Sequence, residues 1–187
     1  MKINLFVLMI ACLVASCGST DVNEVEIAVS DTPSKEEMYE AKKEKLQELE
    51  AAVNADTDYS ERKLRQQLVA TYATFTNQYN KDEMAAEYLF RAGKLANEIG
   101  KPRRAIDFLM NAHDGYPLFN KRTEAAFLVG FIYENVLNDR EMAQTAYEKV
   151  IELYPESSWA GDAQASIQLL YLTDSEKIKR FKEQNQN

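Results

Sequence analysis

Apolar residues recur at helical spacing along most of the chain after about Ser34. Between residues 60 and 79 they stand three or four positions apart, which places them on one face of a helix. These residues are Leu64, Leu68, Tyr72, Phe75 and Tyr79. An earlier helix is predicted to begin at Ser34, an N-cap residue followed by acids, and to end near Ala55, before the polar segment 56–58. The pattern therefore predicts an all-α protein.

Heptad spacing in the first predicted helix raises the question of a coiled coil. The apolar positions are Tyr39, Leu46, Leu49 and Val53. Lys42 interrupts this seam, and it spans only about two heptads, whereas a coiled coil usually needs at least three. We expect the helix to pack on its own domain, and self-association through residues 34–55 is the alternative.

Residues 1–16 have the pattern of a secretory signal peptide. Lys2 supplies the positive charge, and the apolar run over residues 3–15 is shorter than the roughly 20 residues of a membrane span. The run leads into LVASC, residues 13–17, which resembles the bacterial lipobox. The resemblance implies cleavage between Ser16 and Cys17 and lipid attachment at Cys17. An ordinary signal peptide or an uncleaved anchor is the alternative.

The residues after Cys17 favour the outer membrane. Gly18 follows the cysteine. In enterobacterial lipoproteins, an aspartate at that position is associated with retention in the inner membrane. We expect the protein to face the periplasm, and exposure at the cell surface stays open. Residues 17–34 show no helical period and are predicted to be a flexible tether.

Two segments in the second half of the chain repeat one another. In each, a small residue is followed by a bulky residue four positions later, a small or aliphatic residue at seven and a proline at twelve. The signature residues are Gly93, Ala105, Leu109, Ala112 and Pro117 in the first copy, and Gly130, Tyr133, Ala143, Tyr147, Val150 and Pro155 in the second. A glycine and a small residue let two helices approach closely, the bulky residue fills the space between them, and proline ends the second helix.

This pattern resembles the tetratricopeptide repeat, a helix–turn–helix unit of about 34 residues. Residues 86–119 and 123–157 match it well, and a degenerate copy without its proline covers about 44–80. The resemblance implies an all-α solenoid of helical hairpins with about three repeats, spanning residues 35–173.

The segment after the last repeat is predicted to close the stack. A helix over about 158–172 should act as its capping helix, with Trp159 packed onto the preceding hairpin. The polar C-terminal tail, residues 174–187, is predicted to be a weak helix.

The spacing from Tyr-Pro to the next glycine is similar to that in two groups of bacterial envelope proteins. They are the tetratricopeptide lipoproteins of the outer-membrane β-barrel assembly machinery and the periplasmic cell-division coordinators of the Tol–Pal system. The stretch from Tyr154 to Ala163 has the same character. This chain has fewer repeats than the first group and lacks the long trimerising coiled coil of the second.

Composition and charge exclude several classes of function. With 30 acidic and 22 basic residues, the net charge of −8 argues against nucleic-acid binding. A single histidine, His113, excludes sites built from two imidazoles, and two cysteines cannot form a four-thiolate zinc site. The acidic pairs precede predicted helices, where carboxylates cap the helix and complement its dipole. We therefore expect no catalytic residue, no metal and no cofactor.

The remaining candidate is a binding groove, which the resemblance places on the first helix of each hairpin. Its candidate residues are Glu87, Phe90, Lys94 and Asn97 in one repeat, and Phe127, Phe131, Glu134 and Asn135 in the next. They do not reproduce the Lys/Asn clamp with which chaperone-binding members grip a C-terminal carboxylate. Phe127 and Phe131 form either an apolar anchor for a partner or part of the core, and both interpretations stay open.

Together these features predict a membrane-anchored, non-catalytic scaffold that binds a protein partner in the cell envelope. An enzyme, a self-associating structural protein and a glycan- or peptidoglycan-binding module are the alternatives.

Overall fold

The structure, a computed structural model, describes residues 32–56 and 61–184. All regular secondary structure within these ranges is α-helical. The helices are α1 (Lys35–Ala55), α2 (Arg62–Gln78), α3 (Ala85–Glu98), α4 (Pro102–Gly115), α5 (Arg122–Asn135), α6 (Arg140–Leu153), α7 (Ser158–Leu170) and α8 (Asp174–Gln184). The predicted signal peptide, Cys17 and most of the tether lie outside the described residues.

Polar residues begin several helices as predicted. Ser34 and Glu37 form a capping box on α1: the Ser34 hydroxyl accepts from the Glu37 amide at 3.2 Å, and the Glu37 carboxylate accepts from the Ser34 amide at 2.6 Å. Asp139 caps α6 by accepting from the Met142 amide, and Asp82 accepts from the Met84 amide just before α3. The interpretation of these acids as helix caps is confirmed.

From α1 to α7, helices that follow one another in the chain pack against each other, so that this part of the chain is a stack of helical hairpins. Helix α7 also contacts α5, which is not its neighbour in the chain. Helix α1 packs on α2 and buries Leu46 and Leu49 in the core, which confirms that its apolar face is used within its own domain. No described helix is long and apolar enough to span a membrane.

Glycines set the closest approach between helices in two of the hairpins. A Cβ atom at Gly93 would lie 2.6 Å from Leu109 Cγ, and one at Gly130 would lie 2.6 Å from Tyr147 Cδ1. Both large side chains are fully buried. A side chain at either glycine would push the two helices apart, so the predicted pairing of a glycine with a bulky residue is confirmed.

The other signature positions also have their expected environments. Ala105, Ala112, Ala143 and Val150 are fully buried, while Tyr133 packs against both apolar clusters of the core. Pro117 and Pro155 follow directly after Tyr116 and Tyr154, the C-cap residues of α4 and α6.

The C-terminal end of the stack is formed by α7 and α8. The ring of Trp159 packs on Phe127 at 4.9 Å between centroids, which confirms its predicted role in fixing α7 to the stack. The predicted weak helix of the tail is present as α8, which leaves Ile178 and Phe181 exposed.

Candidate functional site: a charged depression between α1 and α3

A depression of about 780 Å³ lies between α1 and α3, with the N-terminal half of α2 as its floor. Its lining includes the apolar residues Val53, Leu68 and Phe90. Charged side chains from all three helices, together with Lys121 just before α5, surround that surface. The depression therefore combines an apolar floor with charges of both signs.

The packing of Tyr72 shows how this space is kept open. Tyr72 comes from α2, stacks on Tyr88 of α3 at 5.3 Å between ring centroids, and donates its hydroxyl proton to Glu50 of α1 at 2.5 Å. Helix α1 has no glycine against which a bulky residue could pack. It is therefore joined to the neighbouring helices at this point by a polar contact instead of by close packing.

A network of ion pairs connects the three parts of the rim. Arg91 of α3 bonds to Glu50 of α1 and to Glu87 of its own helix, each at 2.9 Å. Lys121 Nζ lies 2.9 Å from both carboxylate oxygens of Glu87. Because each carboxylate has a partner on another helix, the network fixes the spacing between α1, α3 and the start of α5.

The pKa values of these groups reflect the network. Burial would raise the pKa of Glu87, but hydrogen bonds from Lys121 and Arg91 outweigh it and hold the pKa below its ordinary value. Burial, together with the hydrogen bond to Glu50, raises the pKa of Tyr72 well above the ordinary tyrosine value. At neutral pH, Glu87 is therefore an anion and Tyr72 a neutral hydrogen-bond donor.

Two cations lie over the ring of Phe90, which is itself only 3% exposed. Lys94 Nζ is 5.6 Å and Lys121 Nζ is 5.3 Å from the ring centroid. Lys94 is exposed and forms no ion pair among the residues that the structure describes. Lys94 can therefore pair with an acidic group of a bound partner.

The structure brings together three of the four groove residues predicted in this repeat. Glu87, Phe90 and Lys94 line the depression, although Phe90 is too buried to be a free anchor. Asn97 does not line it: its Oδ1 is buried and has no hydrogen-bond partner within the described part of the chain. Asn97 in the last turn of α3 is therefore not part of this depression, and a contact between Asn97 and a partner stays a prediction.

The four candidates of the next repeat do not share this depression. Phe127 packs between Tyr147 and Trp159 at 5.3 and 4.9 Å, so it belongs to the core. Phe131, one turn later, is 42% exposed. Phe127 is therefore used in packing, whereas a role for Phe131 as an anchor for a partner stays a prediction.

Glu134 and Asn135 line a separate depression near the start of α6 and the end of α7. There Glu134 accepts the hydroxyl proton of Tyr147 at 2.8 Å, while the Asn135 amide donates to the Phe131 carbonyl at 3.1 Å. The eight predicted residues therefore do not form one continuous groove.

Sequence reasoning missed Glu50, Tyr72, Arg91 and Lys121 as members of the site. The pair Glu87–Arg91 could have been found from its i,i+4 spacing on a predicted helix. Glu50 gave no such signal, because its partners are on other helices.

His113 has a structural role, as its position in the last turn of α4 predicts. Its Nδ1 lies 2.6 Å from Asp114, and its Nε2 lies 2.8 Å from the Tyr154 hydroxyl. These contacts tie the end of α4 to the end of α6. No cluster of side chains suited to holding a metal ion is found in the described ranges.

Comparison with known proteins identifies one of the hairpins. A family model described as tetratricopeptide repeat matches residues 124–157, which contain α5 and α6. No match is found among curated proteins. The prediction of an all-α, tetratricopeptide-type stack is confirmed by this match together with the helical hairpins of the structure. Repeats of this family are non-catalytic scaffolds that generally mediate protein–protein interactions.

Proposed function

We propose that the protein is a lipid-anchored scaffold of a bacterial cell envelope and that it binds a partner protein in the depression between α1 and α3. The observation that carries the binding proposal is the arrangement of that depression. It is bounded by the first helices of two successive hairpins, and it offers an apolar floor inside a rim of oriented charges.

The ion-pair network suits the rim for specific recognition. Glu50, Glu87 and Arg91 already hold one another in place, so a partner does not have to order them. Lys94 and Glu98 lie one turn apart at the rim, and neither forms an ion pair within the described residues. A partner segment that presents an acid to Lys94 and a base to Glu98 would gain in specificity and association rate more than in affinity.

The anchoring proposal is supported by the LVASC segment and its cysteine. Two or three acyl chains on Cys17 would hold the domain at the membrane, since each buried methylene contributes roughly 0.8 kcal/mol and one chain alone binds marginally. The residue after Cys17 favours the outer membrane, with the domain facing the periplasm.

Site-specific crosslinking tests the binding proposal. A photoreactive amino acid is placed at Lys94 in the depression and, as a matched control, at Arg103, which is exposed on α4 outside it. We expect a discrete adduct with a partner protein from position 94 and none from position 103. Equal adducts from both positions, or none from position 94, would contradict it.

Fractionation of cells that produce Cys17→Ala tests the anchoring proposal separately. We expect the variant to lose its acyl chains, accumulate as the unprocessed precursor and disappear from the outer-membrane fraction. Normal processing and unchanged outer-membrane association of the variant would show that Cys17 is not the anchor, without affecting the binding proposal.

A further inference from the structure

The C-terminal end of the stack carries an open apolar groove between α7 and α8. Its volume is about 570 Å³, and its apolar walls come from Ala165 and Leu169 on α7 and from Ile178 and Phe181 on α8. Ile178 is 56% exposed and Phe181 is 68% exposed. Helix α8 is not closely packed on α7, so these two large apolar side chains are left accessible along one side of the groove.

The hairpin α5–α6 shows that a groove between two helices of this stack can hold a further helix, α7. Helix α7 lies against both α5 and α6, and there it buries Ala160 and Ala163 completely or nearly so. In a stack of helical hairpins each unit is covered by the first helix of the next unit. The groove between α7 and α8 offers the corresponding surface, so its shape suits an incoming helix.

The charges around the groove select the kind of helix. Lys177, Arg180 and Lys182 line the groove, and no acidic residue does, although the whole chain has a net charge of −8. Arg180 donates to Gln168 of α7 at 2.6 Å and so links α8 to α7. Lys177 and Lys182 form no ion pair within the described ranges.

Two acids of α8, Glu176 and Glu183, have partners outside the groove. Glu176 accepts from Thr173 at the start of the helix, and Glu183 faces Lys179 at 3.9 Å. The lining of the groove thus places positive charge beside an apolar surface, which complements an acidic amphipathic helix. Lys177 also lines the neighbouring depression that contains Glu134 and Glu141, whereas Arg180 and Lys182 line this groove alone.

We propose that the groove between α7 and α8 binds an amphipathic helix of a partner protein, with apolar anchors on Ile178 and Phe181 and acidic residues opposite Lys177 and Lys182. This surface is distinct from the depression between α1 and α3, and the two lie at opposite ends of the stack. A groove between two helices fits a helix better than it fits a membrane surface, which requires a protruding apolar face.

Binding of two synthetic peptides to residues 18–187, produced without the predicted signal peptide and without the lipidated cysteine, tests the proposal. One peptide is an amphipathic helix with leucines on one face and glutamates beside them, and its control carries lysine in place of each glutamate. Fluorescence anisotropy of the labelled peptides gives the dissociation constants. We expect the glutamate peptide to bind at least about tenfold more tightly, because two favourable charge pairs replace two repulsions.

Variants of α8 locate the binding site. Phe181→Asp should abolish binding while leaving the circular dichroism spectrum unchanged, since the side chain is mostly exposed. Lys177→Glu combined with Lys182→Glu should reverse the preference toward the lysine peptide. Lys179→Glu, on the same helix but outside the groove, is the matched control and should change the dissociation constant less than twofold.

Three results would overturn the proposal. The first is equal binding of both peptides, or binding that survives Phe181→Asp. The second is sedimentation with phosphatidylglycerol vesicles that is lost in Phe181→Asp, which would identify a membrane surface as the occupant. The third is a dimer in light scattering that Phe181→Asp dissociates, which would identify a second copy of the chain.

Discussion

The hairpins α3–α4 and α5–α6 differ from the hairpin α1–α2 at one equivalent position of the repeat. Leu109 and Tyr147 at this position each pack against a glycine of the preceding helix. Tyr72 at the same position has no glycine opposite it and instead donates a hydrogen bond to Glu50. The same repeat position thus either joins two helices tightly or, where the glycine is missing, leaves space beside them for a charged depression.

A second polar position refines this comparison. Glu134 lies one turn after Gly130 and accepts from the Tyr147 hydroxyl. Asn97 lies in the same way one turn after Gly93, but the bulky residue of its hairpin is Leu109, which has no hydroxyl group. The Oδ1 atom of Asn97 therefore has no hydrogen-bond partner among the described residues. A hydrogen bond between the two helices of a hairpin therefore needs both an acceptor one turn after the glycine and a hydroxyl group on the bulky residue, as in Glu134 and Tyr147.

The largest expected effect comes from filling the contact at a glycine. In Gly130→Ala the new Cβ would lie 2.6 Å from two atoms of the fully buried Tyr147 ring, and we expect the free energy of unfolding to fall by about 1–3 kcal/mol. Urea denaturation of the whole chain measures this change.

Gly161→Ala is the control for that substitution. Gly161 also lies within a helix, but no atom comes within 4 Å of a Cβ built there. We expect this variant to be more stable by about 0.5–1 kcal/mol, because alanine favours the helix. Losses of similar size in both variants would show that the close contact at Gly130 is not the cause.

The two tyrosines should differ when their hydroxyl groups are removed. Tyr147→Phe leaves Glu134 without its hydroxyl donor, and we expect a loss of about 1–2 kcal/mol in the free energy of unfolding. Tyr72→Phe should cost less, because Glu50 keeps its ion pair with Arg91 at 2.9 Å. Denaturation curves of both variants measured side by side test the ranking, and a larger loss in Tyr72→Phe would contradict it.

The smallest effect concerns the pH dependence of the contact between α3 and the start of α5, which Glu87 and Lys121 form. The pKa of Glu87 is lower in the folded protein than its ordinary value of 4.5. The stabilisation is therefore fully present above the ordinary value and is lost as the pH falls through the folded-state pKa. We expect hydrogen-exchange protection of α3 and of the first turn of α5 to fall before that of α6 when the pH is lowered below the ordinary value of 4.5.

Glu87→Gln should remove this part of the pH dependence, whereas Glu98→Gln on the same helix should keep it. Glu98 also lines the depression but forms no ion pair within the described residues. Simultaneous loss of protection in all helices would show that Glu87 does not set the order.

Most of the fold could be predicted from the sequence because the contacts that define the repeat join residues that are close together in the chain. The distance along the chain from a glycine to its bulky partner is nearly the same in both hairpins, so Gly93, Leu109, Gly130 and Tyr147 could be identified from spacing alone. Capping of α1 by Ser34 and Glu37 was predictable for the same reason.

The candidate site was only partly predictable because its contacts join different helices. Glu50 on α1 contacts Arg91 on α3 and Tyr72 on α2. The number of residues that separates Glu50 from either partner is not a spacing typical of contacts within a helix. Phe127 and Phe131 have the same residue type and lie one turn apart, yet only the structure shows which of them faces Trp159.

The pairing of Gly93 and Gly130 with a large side chain in the next helix also has a consequence for the order of folding. Because these contacts close short loops, the central hairpins can form early and at a small entropic cost. Helices that contact mainly their neighbours in the chain can then add one after another. The hairpin α1–α2, which lacks such a glycine contact, would join last and open first.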